Sequence, residues 1–194
     1  MAFQVQLKSA PGAAYSLSFP SGALTVVAAA GPVWSCRWTS TTHVALVQSV
    51  HISAITTTGF TTAQDLAYGL YFARAYTVAD TGGLAATLTT NNAKLDTSFP
   101  LMKMTNIRIG NAGVITAGTR TLDAQPLRST GGNGAATIGA EVEANWDFDS
   151  PVAPPLVLRA EEGLVIHNLV LMGAVGVVTL RVDLEWIEVN KSLV

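Results

Sequence analysis

The stretch that decides the fold is Val177-Val-Thr-Leu-Arg-Val-Asp-Leu-Glu-Trp-Ile-Glu-Val189, together with the run before it, Leu156-Val-Leu-Arg-Ala-Glu-Glu-Gly-Leu-Val-Ile-His-Asn-Leu-Val-Leu-Met-Gly173. In the later segment Val178, Leu180, Val182, Leu184 and Trp186 fall on one parity, and Thr179, Arg181, Asp183 and Glu185 on the other. That is the period of a strand with one buried and one polar face. The earlier run is apolar on both parities: Leu164, Ile166, Val170 and Met172 on one side, Val165, Leu169 and Leu171 on the other. It reads as a strand continuing to Met172 and covered on both faces, by a second sheet or by a neighbouring subunit. Glu161-Glu-Gly163 and Gly173-Ala-Val-Gly176 punctuate the two runs.

Upstream the pattern continues. Phe3, Val5 and Leu7 alternate with Gln4, Gln6 and Lys8 up to Ala10-Pro-Gly12. Tyr15 to Phe19 reads as a strand stopped by Pro20-Ser-Gly22, and Leu24 to Ala30 as another closed by Gly31-Pro32. Trp34, Cys36 and Trp38 share one face of a short strand. His43 to Ile55 is long enough to cross a whole sheet, with Val44, Leu46, Val50 and Ile52 inward and Ala45, Ser49, His51 and Ser53 outward. Gln64 to Ala79 alternates as a strand, and Arg74 on its apolar pattern calls for a carboxylate, carbonyls or solvent. Met102 to Ile109 is again a strand, and Val114 to Leu122 either a strand or a segment lying along the outside.

Two stretches lack this order. Residues 80–100 read as a loop-rich excursion holding one short helix near Asn92 to Leu95, and 123–155 as an extended arm. The arm includes the glycine-rich Ser129-Thr-Gly-Gly-Asn-Gly134 and the stiff Pro151-Val-Ala-Pro-Pro155. The expectation is one all-β domain over 1–194, an antiparallel β-sandwich or jelly roll with long loops.

Charged residues make up 12% of the 194, about half the usual share for a soluble domain. So little charge leaves much surface to be covered by small polar residues or by other subunits, and predicts a homo-oligomer. The net charge is -2 and no block of Lys or Arg occurs, which disfavours direct nucleic-acid binding. No run of about 18 apolar residues suggests a membrane helix. The lone Cys36 excludes an intrachain disulfide, and the N-terminus carries no secretion pattern, which places synthesis and assembly in a cytoplasm.

No chemistry stands out. His43 and His51 lie too far apart on one strand to share a metal, and His167 sits within an apolar run. No nucleophile elbow, phosphate loop or dinucleotide fingerprint occurs. Glu141, Glu143, Asp147 and Asp149 alternate with apolar residues and so line one side of an extended chain. They suit an exposed edge that discourages stray sheet pairing better than a calcium site or a glycosidase pair. Trp146 and Phe148, opposite those carboxylates, look like anchors of a docking arm. With Val165, Leu169 and Leu171 they are the candidate interface residues. The expectation is a non-enzymatic protein with no cofactor, no metal and no catalytic residue.

The strings Ala73-Arg-Ala-Tyr-Thr-Val-Ala-Asp-Thr-Gly82, Leu88-Thr-Thr-Asn-Asn-Ala-Lys-Leu95, Ala117-Gly-Thr-Arg-Thr-Leu-Asp-Ala-Gln-Pro-Leu127 and the segment from Gly173 to Val189 resemble small virion proteins of tailed bacteriophages. The resemblance is to the decoration or cement proteins that accompany a phage major capsid protein. It implies a β-sandwich that binds the outer capsid surface as dimers or trimers and stabilises contacts between capsomers. That places the chain in the virion after assembly in the host cytoplasm, and it carries over no catalytic residues. The alternative is a receptor- or glycan-binding β-sandwich of a tail fibre or spike, which would show an exposed aromatic row or a cation site.

Overall fold

The computed structural model describes residues 12–25, 27, 30–88, 93–134, 138–149 and 155–193, and in these the chain is an all-β sandwich of two antiparallel sheets. One sheet, here sheet A, is built around β3 (His43–Thr58) and β12 (Val177–Asn190). They pair along their whole length, from His43 opposite Asn190 to Thr58 opposite Val177. β1 (Ala13–Thr25) flanks β12, while β9 (Glu141–Asp147) and β10 (Leu156–Leu158) both pair with the other side of β3. Sheet B runs in the order β5 (Leu84–Ala85), β6 (Met104–Ile109), β2 (Gly31–Trp38), β11 (Glu162–Asn168), β4 (Gln64–Arg74) and β7 (Thr121–Leu122), with β8 (Arg128–Gly134) also on β4.

The core lies between the sheets, where the alternation in the sequence delivers it. Val178, Leu180, Val182, Leu184 and Trp186 of β12 meet Trp34, Cys36 and Trp38 of β2, Leu164 and Ile166 of β11 and Leu66, Tyr68, Leu70 and Phe72 of β4 in one buried cluster. Tyr15 stacks on Trp186, with ring centroids 5.2 Å apart, and its hydroxyl donates to the Pro100 carbonyl at 2.9 Å. Cys36 is fully buried, and burial pushes its thiol up to about 12, so it packs as a small hydrophobe.

Several sequence expectations change. The inward set assigned to the first half of β3 is reversed: Ala45 and Val47 join the core, whereas Val44 and Leu46 cluster with Val189 on the opposite face. The cause is a bulge, because Ser49 pairs with Glu185 and Val47 with Trp186, leaving Gln48 as an extra residue. One extra residue turns every later side chain to the other face. β1 is a single strand running through Pro20 to Thr25 rather than two, with a register shift between Pro20 and Ala23. Proline is tolerated there because β1 is a sheet edge and the missing N–H breaks no ladder.

The arm expected over 123–155 is largely two strands. β8 adds to sheet B beside β4, and β9 adds to sheet A beside β3. The glycines of β8 suit an edge that lies close to its neighbour: a Cβ on Gly131 would come within 3.3 Å of the Ala67 side chain. β11 ends at Asn168, not Met172, and residues 169–176 form a loop. The helix expected near Asn92 to Leu95 is absent from the described residues 93–95, where Lys94 bridges to Tyr15 and Ser16 donates to the Ala93 carbonyl. The strand expected over Phe3 to Lys8 and most of the proline-rich lead, 151–154, lie outside the described residues.

Sheet B is covered on both faces. Val165 is fully buried although it points away from the core, and it packs with Ala73, Tyr76 and Leu122. Its cover is neither the other sheet nor a neighbouring subunit. The chain leaves β4 at Ala75, in the left-handed region at φ 47°, and residues 75–83 and 114–120 come together over the outer face as a strap, with Leu122 of β7 beside it. Gly163 makes room for it, since a Cβ there would meet the Tyr76 ring at 2.9 Å.

Where sheet A meets β6, one carboxylate joins the two layers. Glu188 is core-facing and 3% exposed, and its Oε1 accepts from the backbone N–H of Lys103 at 2.7 Å, that of Met104 at 3.3 Å and the Trp186 indole at 3.1 Å. Replacing Glu188 by leucine strands these buried donors and should cost ~2–4 kcal/mol. Glu188→Gln keeps an acceptor oxygen and should retain most of that stability. Urea denaturation of both variants at neutral pH measures the difference.

Candidate functional site

Five residues were candidates for an interface, and the fold scatters them. Trp146, on β9, is 5% exposed and belongs to the main core, opposite Val50. Phe148 packs against the same core with the Arg128 guanidinium 5.6 Å from its ring. Both aromatics are therefore anchors within the chain itself. Val165 lies beneath the strap. Leu169 and Leu171 alone are neighbours, in the loop joining β11 to β12.

That loop carries three of the exposed large apolar side chains of the described residues. Leu171 and Val175 are each 60% exposed and Val170 is exposed beside them. The sequence expectation paired Leu171 with a covered strand face; in the single chain it is bare, and Val170 and Val175 were not singled out. The loop base is held firmly. Leu169 N–H donates to the Ala67 carbonyl at 2.8 Å, Met172 N–H to the Val27 carbonyl at 2.9 Å, and Gly173 N–H to Gln64 Oε1 at 2.8 Å. The Asn168 side-chain amide bonds the carbonyls of Val27 and Val170. Gly176 lies against the Phe60 ring, where any Cβ would collide. The result is a rigid base carrying three exposed aliphatic side chains. Ile138, 71% exposed, projects near the end of β3 that pairs with the start of β12. The signal for Val175 was its place between Gly173 and Gly176, whereas Val170 and Leu171 continue the apolar run of β11 and carried none.

The outer face of sheet A is different in kind. It carries Glu141, Glu143 and Asp147 from β9, Asp183 and Glu185 from β12, and His51 and Arg181 among them. The four carboxylates read from the sequence, Glu141, Glu143, Asp147 and Asp149, are all exposed. What the sequence could not show is their partners. His51 Nε2 lies 2.7 Å from Glu143 Oε1 and its Nδ1 3.0 Å from Asp183 Oδ2, so one imidazole joins three adjacent strands. Ser53 donates to Glu141 at 2.8 Å and Ser49 to Glu185 at 3.2 Å. A groove of about 420 Å³ crosses one end of this face, with Ser49, Asp147 and Glu185 at one side and Leu95 and Ile187 at the other. The Ser49 hydroxyl at this groove donates to a carboxylate rather than to a histidine. Among the described residues no cluster of three His, Cys, Asp or Glu side chains is arranged to hold a metal ion.

With a carboxylate at each ring nitrogen, the protonated form of His51 can donate from both. Partial burial opposes the charge, but the bonds to Glu143 and Asp183 outweigh it and raise the pKa above the ordinary 6.5. Arg74, whose position allowed a carboxylate, carbonyls or solvent, meets a carboxylate and keeps much of its side chain in solvent. It donates to Asp123 through two nitrogens, at 2.8 and 3.1 Å, on the side of the strap.

A scan of the chain against protein-family models gives no match, and a search of curated proteins finds no similar sequence.

The His51 bridge carries a pH dependence of definite sign. Because its folded pKa is raised, its contribution is complete below about 6.5 and fades as pH rises through the raised value. The exposure of Glu143 limits this contribution to ~0.5–1 kcal/mol. Wild type should therefore lose that much stability relative to His51→Gln between pH 6 and pH 9, read from urea midpoints of the two proteins.

Proposed function

We propose that this chain is a non-enzymatic structural protein that binds the outer surface of a tailed-phage capsid, as a homodimer or homotrimer, and stabilises contacts between capsomers. Its partner on this reading is the phage major capsid protein, and its place is the surface of the virion. The observation that carries the proposal is the aliphatic tip of Val170, Leu171 and Val175 on a base fixed by backbone bonds. A preorganised apolar tip loses little conformational freedom on docking, so more of its burial appears as affinity. The strings that resemble phage decoration proteins, Ala73 to Gly82, Ala117 to Leu127 and Gly173 to Val189, overlap both limbs of the strap and the second half of the loop, Val175 included.

Glycan recognition has less support. All four tryptophans are buried, and the exposed large apolar side chains of the described residues are all aliphatic. Stacking on a sugar ring asks for an exposed aromatic face.

The test is sedimentation of the purified protein with and without empty capsids of the phage that encodes it. Wild type should pellet with capsids and be larger than a monomer in solution. The double variant Leu171→Asp, Val175→Asp should stay in the supernatant, with stability unchanged within ~0.5 kcal/mol because both sites are exposed. A wild-type monomer that ignores capsids overturns the proposal.

A further inference from the structure

We propose that the groove across the outer face of sheet A docks an extended, arginine-bearing segment of a partner protein, with the arginine seated over Ser49 between Asp147 and Glu185. The groove lies roughly 25 Å along β12 from the base of the loop that carries Leu171, and the inference does not depend on the capsid reading.

The groove sits at the bulge in β3. Ser49 pairs with Asp147 of β9 on one side and with Glu185 of β12 on the other, so two carboxylates flank one hydroxyl in a single row across three strands. At the usual strand spacing the outer two backbones of that row are about 10 Å apart. The register breaks immediately beyond, between Glu185 and Trp186, and Gln48 is the residue left over. A bulge bends its strand, and the outer face is concave here, with a volume of about 420 Å³. Sites that enclose a small ligand have volumes of about 300–1,000 Å³.

Charge complementarity names the occupant. Asp147, Asp149 and Glu185 are all exposed and line the groove together. Among the described residues no Lys, Arg or His forms an ion pair with any of the three. The two basic side chains of this face, His51 and Arg181, are engaged with Glu143 and Asp183. Ser49 donates to Glu185 at 3.2 Å and the Asp149 N–H to Asp147 at 3.0 Å, but both donors are neutral and leave the charges uncompensated. A cation placed among them relieves that repulsion. A planar guanidinium suits the row better than a metal ion. It presents donors along several edges and can reach carboxylates on opposite sides, whereas a metal needs its ligands converged within about 2.6 Å.

Two features call for a peptide around that guanidinium. Ile187 and the 65% exposed Leu95 form an aliphatic wall at the end of the groove away from β9. The Gln48 side chain also lines the groove, and its amide nitrogen is buried without a partner. A backbone carbonyl of a docked segment supplies the acceptor that this nitrogen lacks. From β1 across β12 and β3 to β9 the face spans about 14 Å, the length of about four extended residues. The segment therefore carries an aliphatic residue toward Leu95 and its arginine toward β9.

Titration of the isotope-labelled full-length protein with two terminally blocked tetrapeptides, followed by amide resonances, tests this. One runs from leucine to arginine and the other from arginine to leucine, with glycines between. At least one should shift the backbone amides of Ser49, Asp147, Glu185 and Ile187 and the side-chain amide of Gln48, with half-saturation near ~1 mM. The same peptide with neutral citrulline in place of arginine should bind about tenfold more weakly or worse. The arginine peptide should lose about as much on the double variant Asp147→Asn, Glu185→Gln, whose exposed sites leave the fold intact. Resonances away from the groove check that it does. No shift with either peptide at about 10 mM overturns the proposal. So does equal binding of the citrulline peptide, equal binding to the variant, or a response that spreads to Glu141 and Glu143. Calcium that moves these amides where the peptides do not would assign the groove to a metal ion. Shifts that follow protein concentration alone would assign it to a second copy, and either result also overturns the proposal.

Discussion

Sheet B must bury two faces, and much of the rest of the chain follows from that constraint. A two-layer sandwich normally covers one face of each sheet and leaves the other to water. β11 has Leu164 and Ile166 toward the core and Val165 outward, all fully buried. The outward residue needs a roof, and the long excursions after β4 and β6 supply it. The roof brings backbone into a region without a strand ladder of its own, so its polar groups need partners. Arg37 and the Asp80–Arg120 pair meet part of that demand. Small residues at Gly163 and Gly118 permit the approach. On sheet A the outward residues of β9 and most of β12 are polar, and the buried outward cluster is confined to Val44, Leu46 and Val189 at one end.

How much of this was legible depends on what each residue's partners are. The alternation of β12 and the Trp34-Cys36-Trp38 face follow from local pattern alone, because those side chains face one core across regular pairing. The two-sided apolar character of β11 was also legible, but its cover was not. That cover comes from Tyr76 and Leu122, distant in sequence and in stretches without periodicity. The Gln48 bulge has no local signal, since only the register of the neighbouring strand reveals an extra residue. β8 is a strand by pairing with β4, while its composition is that of a loop. At the candidate site, the exposed carboxylates of β9 were readable. Their link through His51 to Asp183 spans 132 residues and was not.

The two outward surfaces differ in chemistry, which bears on how each could engage another molecule. The tip around Leu171 is small, aliphatic and fixed by backbone bonds. The face around His51 is polar, acidic and internally bonded. A contact at the first gains from releasing water from apolar surface and is little affected by salt. A contact at the second would compete with existing bonds and weaken as ionic strength rises.

Pro20 sits on the open side of β1, and the opposite margin of sheet A ends in the carboxylate-bearing β9. A protein whose copies crowd together during synthesis faces a choice between ordered docking and indiscriminate strand exchange. Here a missing N–H interrupts one margin and like charges repel at the other, so the backbone itself is a poor adhesive. Association is left to side chains on loops and faces, where shape and composition can discriminate among partners. Crowded copies of this fold should therefore remain separate molecules rather than merge into a common sheet.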